Sequence, residues 1–124
     1  MLRRQLLRNF RKPLILASPK VGLKHPQAIS SLSSLAPGTS FSPILVNEYG
    51  NSASPKQVIL CSGKIFFDIN TFLSKHAKST SIKVIRIEEL APFPSGLIAK
   101  ELKSLPKKAM VTWVQEEGMN QGAF

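Results

Sequence analysis

Beyond residue 56 the chain alternates short runs of branched apolar residues with amphipathic stretches, and this alternation restricts the fold more than any other feature. Val58-Ile59-Leu60-Cys61 reads as a strand. Ser62-Gly63 punctuates it, and Lys64 to Lys75 reads as a helix with an apolar stripe of Ile65, Ile69, Phe72 and Leu73 and with Phe66 beside it. Ile82 to Ile87 is the next strand, rich in branched residues. Pro92-Phe93-Pro94 breaks the chain. Ser95 to Leu105 is then a helix that uses Leu97, Ile98, Leu102 and Leu105, and Ala109 to Val114 is the last strand. Strands alternating with helices of crossover length predict an α/β domain with a parallel or mostly parallel sheet and helices on its faces.

The upstream pattern is weaker. Leu14 to Ser18, closed by Pro19, is a strand candidate, and Ala28 to Leu35 is a short helix ended by Pro37-Gly38. Phe41 to Asn47 is expected at an edge or irregular, because Pro43 has no N–H for a ladder. Glu48 to Pro55 and Glu116 to Phe124 are polar and read as loops.

Charge adds a second constraint. Lys and Arg number 17 against 7 Asp and Glu, a net +10 in 124 residues. Such a balance suits an anionic partner: nucleic acid, a membrane surface, phosphates or an acidic protein face. No acidic residue precedes Glu48. Near the start, Leu2, Leu6, Leu7 and Phe10 fall on one side of a helical wheel, with Arg4, Arg8, Arg11 and Lys12 on the other and only Arg3 intruding on the apolar side. Three readings fit: a mitochondrial transit peptide over residues 1–35, a nucleic-acid-binding arm, or the first helix of the domain with its leucines in the core. Pro13 followed by the apolar run Leu14-Ile15-Leu16-Ala17 favours the core helix.

The chemical inventory is thin. One Cys and two His exclude a disulfide framework and a four-ligand zinc site. Asp68 is the one Asp, so carboxylates for a hard divalent cation are scarce. No apolar run is long enough to span a bilayer. Ser62-Gly63-Lys64 sits where a strand feeds a helix and could favour an anion, but the full Gly-rich phosphate loop is missing; Ser62 as a helix cap and Gly63 as a tight turn is the simpler account. Cys61 at a strand end is expected to act as a small buried hydrophobe, and neither His25 nor His76, the latter close to Lys78, has an acid or thiol partner nearby in sequence. Glu88-Glu89 and Glu116-Glu117 both follow strands, where open parallel sheets gather ligands, but adjacent residues diverge too much to form a ready dyad.

Several blocks carry a resemblance. Leu2-Arg3-Arg4-Gln5, Arg8-Asn9-Phe10-Arg11-Lys12-Pro13-Leu14-Ile15 and Ser18-Pro19-Lys20 open the series. Pro37-Gly38-Thr39 with Phe41, Cys61-Ser62-Gly63-Lys64 and Arg86-Ile87-Glu88-Glu89-Leu90-Ala91-Pro92-Phe93-Pro94 continue it. Trp113-Val114-Gln115-Glu116-Glu117, with Asn120, Gly122 and the aromatic Phe124, closes it. In order and over essentially the whole chain, they resemble the C-terminal domain of the 2-oxoglutarate dehydrogenase first component, with a lean toward the 2-oxoadipate dehydrogenase paralogue.

The resemblance implies a transketolase C-terminal-like fold, a three-layer α/β/α domain with a mostly parallel sheet. It implies a parent oxidoreductase of the tricarboxylic acid cycle or of lysine degradation, in the mitochondrial matrix of eukaryotes. That parent decarboxylates a 2-oxo acid on thiamine diphosphate and passes the acyl group to a lipoyl-bearing second component. In the family the diphosphate and Mg²⁺ are held by a Gly-Asp-Gly motif in an earlier domain, and no residue of this chain matches it. No catalytic, cofactor-binding or metal-binding residue is therefore expected here, and residues 1–124 are read as one domain truncated at both ends. Some bacterial members bind acetyl-CoA at an allosteric site partly built from this domain. Arg4 matches one basic residue of that site and is the one candidate anion contact, whereas Gly96-Leu97 replace a basic pair, so no acetyl-CoA site is expected. Residues 2–20 belong to the folded pattern of the family, so their basic face is expected to meet the remaining domains of the parent subunit or its homodimer mate. A basic module for nucleic acid or an acidic protein is the alternative.

Overall fold

Branched residues form strands only where another strand completes their hydrogen-bond ladder, and four segments of this chain find such partners. In the computed structural model, which describes residues 2–50, 54–76 and 81–123, they are β1 (Ile44–Tyr49), β2 (Gln57–Cys61), β3 (Ile82–Ile87) and β4 (Met110–Val114). Their order in the sheet is β1-β3-β2-β4. β3 runs parallel to β2 and β2 parallel to β4, while β1 pairs antiparallel with β3. The result is a small α/β domain with a mixed, mostly parallel sheet. Asn51 to Ala53 of the expected loop, Lys78 and Phe124 lie outside the described residues, as do the side chains of Leu2 and Arg3.

β1 occupies an edge, as expected from Pro43, but starts only after that proline and runs on through Glu48 and Tyr49 of the expected loop, because both pair with β3. The Pro43 carbonyl is still used: it accepts from the backbone N–H of Glu88 at 2.8 Å and of Glu89 at 3.2 Å. Two helices cover the central strands. α2 (Ile65–His76) links β2 to β3, and α3 (Ser95–Lys103) links β3 to β4. The second crossover passes back over β2, so two right-handed connections put the helices on opposite faces of the sheet. Side chains agree. Phe66 and Leu73 of α2 pack with Cys61 and Val84, whereas Glu101 of α3 meets Lys83, which points to the other face. The α2 stripe is rotated from the expected one: Phe66 is buried and Phe72 is exposed, its ring stacked on His76.

Lys83 is only 8% exposed. Its Nζ lies 3.4 Å from Glu48 on β1 and 3.3 Å from Glu101 on α3. A buried ammonium needs such partners. The pair of carboxylates fixes Glu48 opposite Lys83 in the ladder and ties α3 to the same strand.

Among the described residues, those before Pro43 form no strand. α1 (Leu2–Leu6) is a single short helix, followed by irregular chain and 3-10 turns at Lys20–Lys24 and Leu32–Leu35. The expected strand at Leu14 to Ser18 is absent, because that run meets no sheet edge and Pro13 and Pro19 supply no N–H. The expected amphipathic helix stops at Leu6. A helix continued to Lys12 would place Arg4, Arg8 and Lys12 in repelling i,i+4 steps, with no acidic residue in its first turn. Leu6 and Leu7 are exposed, so the reading of this helix as part of the core is overturned. The expected helix from Ala28 shrinks to the turn at Leu32–Leu35.

Candidate functional site

In an open α/β sheet the carboxyl ends of the parallel strands are where a ligand crevice forms, especially where successive connections leave on opposite faces. Here that place lies between the ends of β2 and β3. The chain's own groups occupy it. Ser62 Oγ donates to the Ile87 carbonyl at 2.9 Å and bridges the two strand ends. Ser62 is thus a strand-to-strand link and not the helix cap expected from the sequence. Gly63 does make the tight turn, with φ +77.

Four carboxylates follow β3 and β4, and each of three has a cation against it. Glu88 pairs with Arg86, although the Arg86 Nε–H is not aimed to hydrogen-bond. The Arg86 guanidinium also lies 4.2 Å from the centre of the Phe66 ring, a close cation–π contact. Glu89 meets Arg4 at 2.8 Å, and Glu116 meets Lys64 at 3.0 Å. The hydrogen bond and charge of Glu116 raise the Lys64 pKa. Arg4, the candidate anion contact, therefore faces a carboxylate of its own chain. Adjacent carboxylates do diverge, Glu88 and Glu89 reaching different cations.

Beyond β4 the chain is organised by one side chain. Gln115 Oε1 accepts from Trp113 Nε1 at 2.8 Å. Gln115 Nε2 donates to the carbonyls of Glu117, Gly118 and Gln121 at 3.1, 2.9 and 3.1 Å. The polar composition of Glu116 to Phe124 predicts a loop but not this centre. The legible signal was a glutamine two residues after a tryptophan at a strand end, where an indole N–H needs a partner.

Cys61 is fully buried. Burial pushes its thiol up to about 11, with smaller opposing effects of Arg86 and Glu88. It stays protonated at neutral pH and does not provide a thiolate nucleophile. The histidines are elsewhere: His25 packs its ring 4.2 Å from that of Phe67 and accepts from the Gln27 backbone N–H, and His76 Nδ1 sits 2.8 Å from the Phe72 carbonyl. No Cys–His pair forms. Among the described residues no group of three or more His, Cys, Asp and Glu could hold a metal ion. Asp68 lies on the exposed side of α2, where its charge adds to that of Glu116 in raising the Lys64 pKa. The donors of this chain thus do not fit a diphosphate-bound Mg²⁺. Among the described residues no helix is long and apolar enough to cross a membrane.

The N-terminal segment touches the sheet domain at identifiable points. Arg4 reaches Glu89, and the Asn70 Nδ2 of α2 donates to Gln27 Oε1 at 2.9 Å while its Oδ1 accepts from Tyr49. A shallow hollow of about 290 Å³ is lined by Gln5, Leu6, Phe10, Arg11, Lys12 and Pro13. Most of the segment's apolar side chains face outward. Ile15 is 91% exposed and Leu7 87%, with Leu23, Ile29 and Leu32 close behind.

Residues 29–124 match the family model of the 2-oxoglutarate dehydrogenase C-terminal domain. Over 126 residues the chain is 43% identical to a probable 2-oxoadipate dehydrogenase complex component E1 homolog of Dictyostelium discoideum, covering 99% of this chain and 14% of the relative. It is 44% identical over 125 residues to the 2-oxoglutarate dehydrogenase E1 component of Cupriavidus necator, covering 100% of this chain and 13% of the relative. It is 42% identical over 125 residues to the 2-oxoadipate dehydrogenase complex component E1 of Homo sapiens, covering 100% of this chain and 14% of the relative. The chain therefore spans about one-seventh of the length of these relatives.

Proposed function

The chain belongs to the 2-oxoglutarate dehydrogenase C-terminal family, and from that membership we propose that it is the docking domain of a 2-oxo acid dehydrogenase first component and makes no bonds itself. The parent subunit would decarboxylate 2-oxoglutarate or 2-oxoadipate on thiamine diphosphate and Mg²⁺ held by its earlier domains. It would then transfer a succinyl or glutaryl group to a lipoyl-bearing second component, in the mitochondrial matrix of a eukaryote. The two helices on opposite faces of a mostly parallel sheet support the three-layer, transketolase C-terminal-like reading.

The observation that carries the docking role is the row of outward apolar side chains before β1. Leu7, Ile15, Leu23, Ile29 and Leu32 each leave most of their apolar side chain open to water, and a partner that covers them removes that surface from solvent. The surfaces that would cover them are those of the parent's remaining domains and its homodimer mate.

Purified chain supplied with 2-oxoglutarate or 2-oxoadipate, thiamine diphosphate and Mg²⁺ is expected to release no more CO₂ than a heat-killed control. Turnover above that control would overturn the proposal. So would failure of the chain to associate with the remainder of a parent subunit lacking this domain. The similar identities to both kinds of relative leave the two 2-oxo acids equally supported.

A further inference from the structure

The ends of the sheet differ in charge. At the carboxyl end, cations and carboxylates are matched through Arg86, Lys64 and Arg4. The amino end is different. Lys56 immediately precedes β2, and Lys107 and Lys108 precede β4. The Lys56 carbonyl accepts from the Met110 N–H at 3.0 Å, and its N–H donates to the Ser81 carbonyl at 3.0 Å, so the starts of β2, β3 and β4 lie together. α2 and α3 run back toward this end and finish with Lys75 and Lys103. The carboxylates of Glu48 and Glu101 are both turned to Lys83. Among the described residues, none of these five exposed lysines is in an ion pair.

We propose that the amino end of the parallel strands is a docking surface for an acidic polypeptide. Lys75 and Lys103 stand near helix ends and Lys56, Lys107 and Lys108 just before strands, so the fold gathers their backbones at one end of the sheet. Among the described residues the surface lacks the groups by which bases are read and stacked. It has no arginine for bidentate contact, and its exposed aromatic, Phe72, already stacks on His76. It also carries exposed Met110 and Val111 on the edge strand beside the lysines. Apolar side chains rimmed by cations suit a protein face with carboxylates around an apolar centre. The assignment rests on charge placement and not on the family role, so its failure would leave that role standing.

The test is binding of the full chain to fluorescently labelled poly-L-glutamate at low salt. A triple reversal at the amino end, K56E/K107E/K108E, is compared with one in the N-terminal segment, R8E/R11E/K12E, which changes net charge equally. The first is expected to weaken binding about tenfold or more, the second by less than about threefold. The milder K107Q/K108Q variant, which leaves every backbone contact in place, should fall between them and carries the test if the triple variant misfolds. Equal losses from both reversals, or no binding at low salt, would overturn the proposal. Tighter binding of a single-stranded DNA oligonucleotide or of phosphatidylserine vesicles through the same lysines would overturn the assignment to a polypeptide.

Discussion

Leu14-Ile15-Leu16-Ala17 and Val58-Ile59-Leu60-Cys61 are nearly interchangeable as text, yet one lies open to water and the other holds the centre of a sheet. The difference is in their surroundings. β2 has β3 on one side and β4 on the other, so every apolar residue it buries also completes a ladder. The earlier run lies between Pro13 and Pro19 and has no neighbour to pair with. An apolar run is therefore a demand for a partner, and the partner decides whether it becomes a strand. In the sheet domain the demand is met within the chain. In the N-terminal segment it is passed outward, which is why the proposed function locates the interface there.

Matched substitutions test this contrast most directly. Ile85 is fully buried in the central strand, and Ile85→Ala should lower the stability of the isolated chain by about 2–5 kcal/mol, read from urea unfolding. An effect below about 1 kcal/mol would mean the sheet is not the stable unit.

Alkaline pH should also act on the sheet domain. Cys61 holds its proton to about 11 in the folded chain against 9.0 unfolded, mainly through burial. A raised pKa means that the folded state binds the proton more tightly. This stabilisation is complete below pH 9.0 and is lost as pH rises to about 11. The pKa values of Tyr49, raised by burial, and of Lys64, raised by Glu116, are displaced in the same direction. A loss on the order of 2–3 kcal/mol is expected from the thiol, and Cys61→Ala should flatten the decline of melting temperature across this range. An unchanged slope in the variant would remove the thiol from the explanation.

The smallest effects should come from the N-terminal segment when the chain is alone. Ile15→Ala and Arg4→Ala alter a side chain in water and one surface ion pair, and each should change stability by less than about 0.5 kcal/mol. The same Ile15→Ala change should weaken assembly with the parent's remaining domains. A large loss of stability in the isolated chain would erase the distinction between the two regions.

How far the sequence could be read follows the same line. β2, β3 and β4 were recognisable from branched runs and both crossover helices from their spacing, because there local preference and tertiary contact agree, whereas β1 was legible only as an edge or irregular strand ending at Asn47. The segment before Pro43 misled, since its apolar periodicity reports a wish to be buried without saying against what. In the site, the close turn at Gly63 and the divergence of adjacent carboxylates were foreseeable. The pairings of Glu89 with Arg4 and Glu116 with Lys64 were not, because they join residues brought together only by the fold. Lys83 left a fainter signal: a cation inside an otherwise buried strand has to find carboxylates, but nothing local says that they are Glu48 and Glu101.

The loop after β4 has a further consequence. Three carbonyl dipoles converge on the amide nitrogen of Gln115 much as peptide oxygens converge on a calcium ion, with two N–H bonds taking the place of the metal. In such a loop an amide, and not a cation, draws the carbonyls together. Its weak point is chemical: hydrolysis of that one amide to a carboxylate would leave three carbonyls facing a negative charge, and the loop would open as the protein ages.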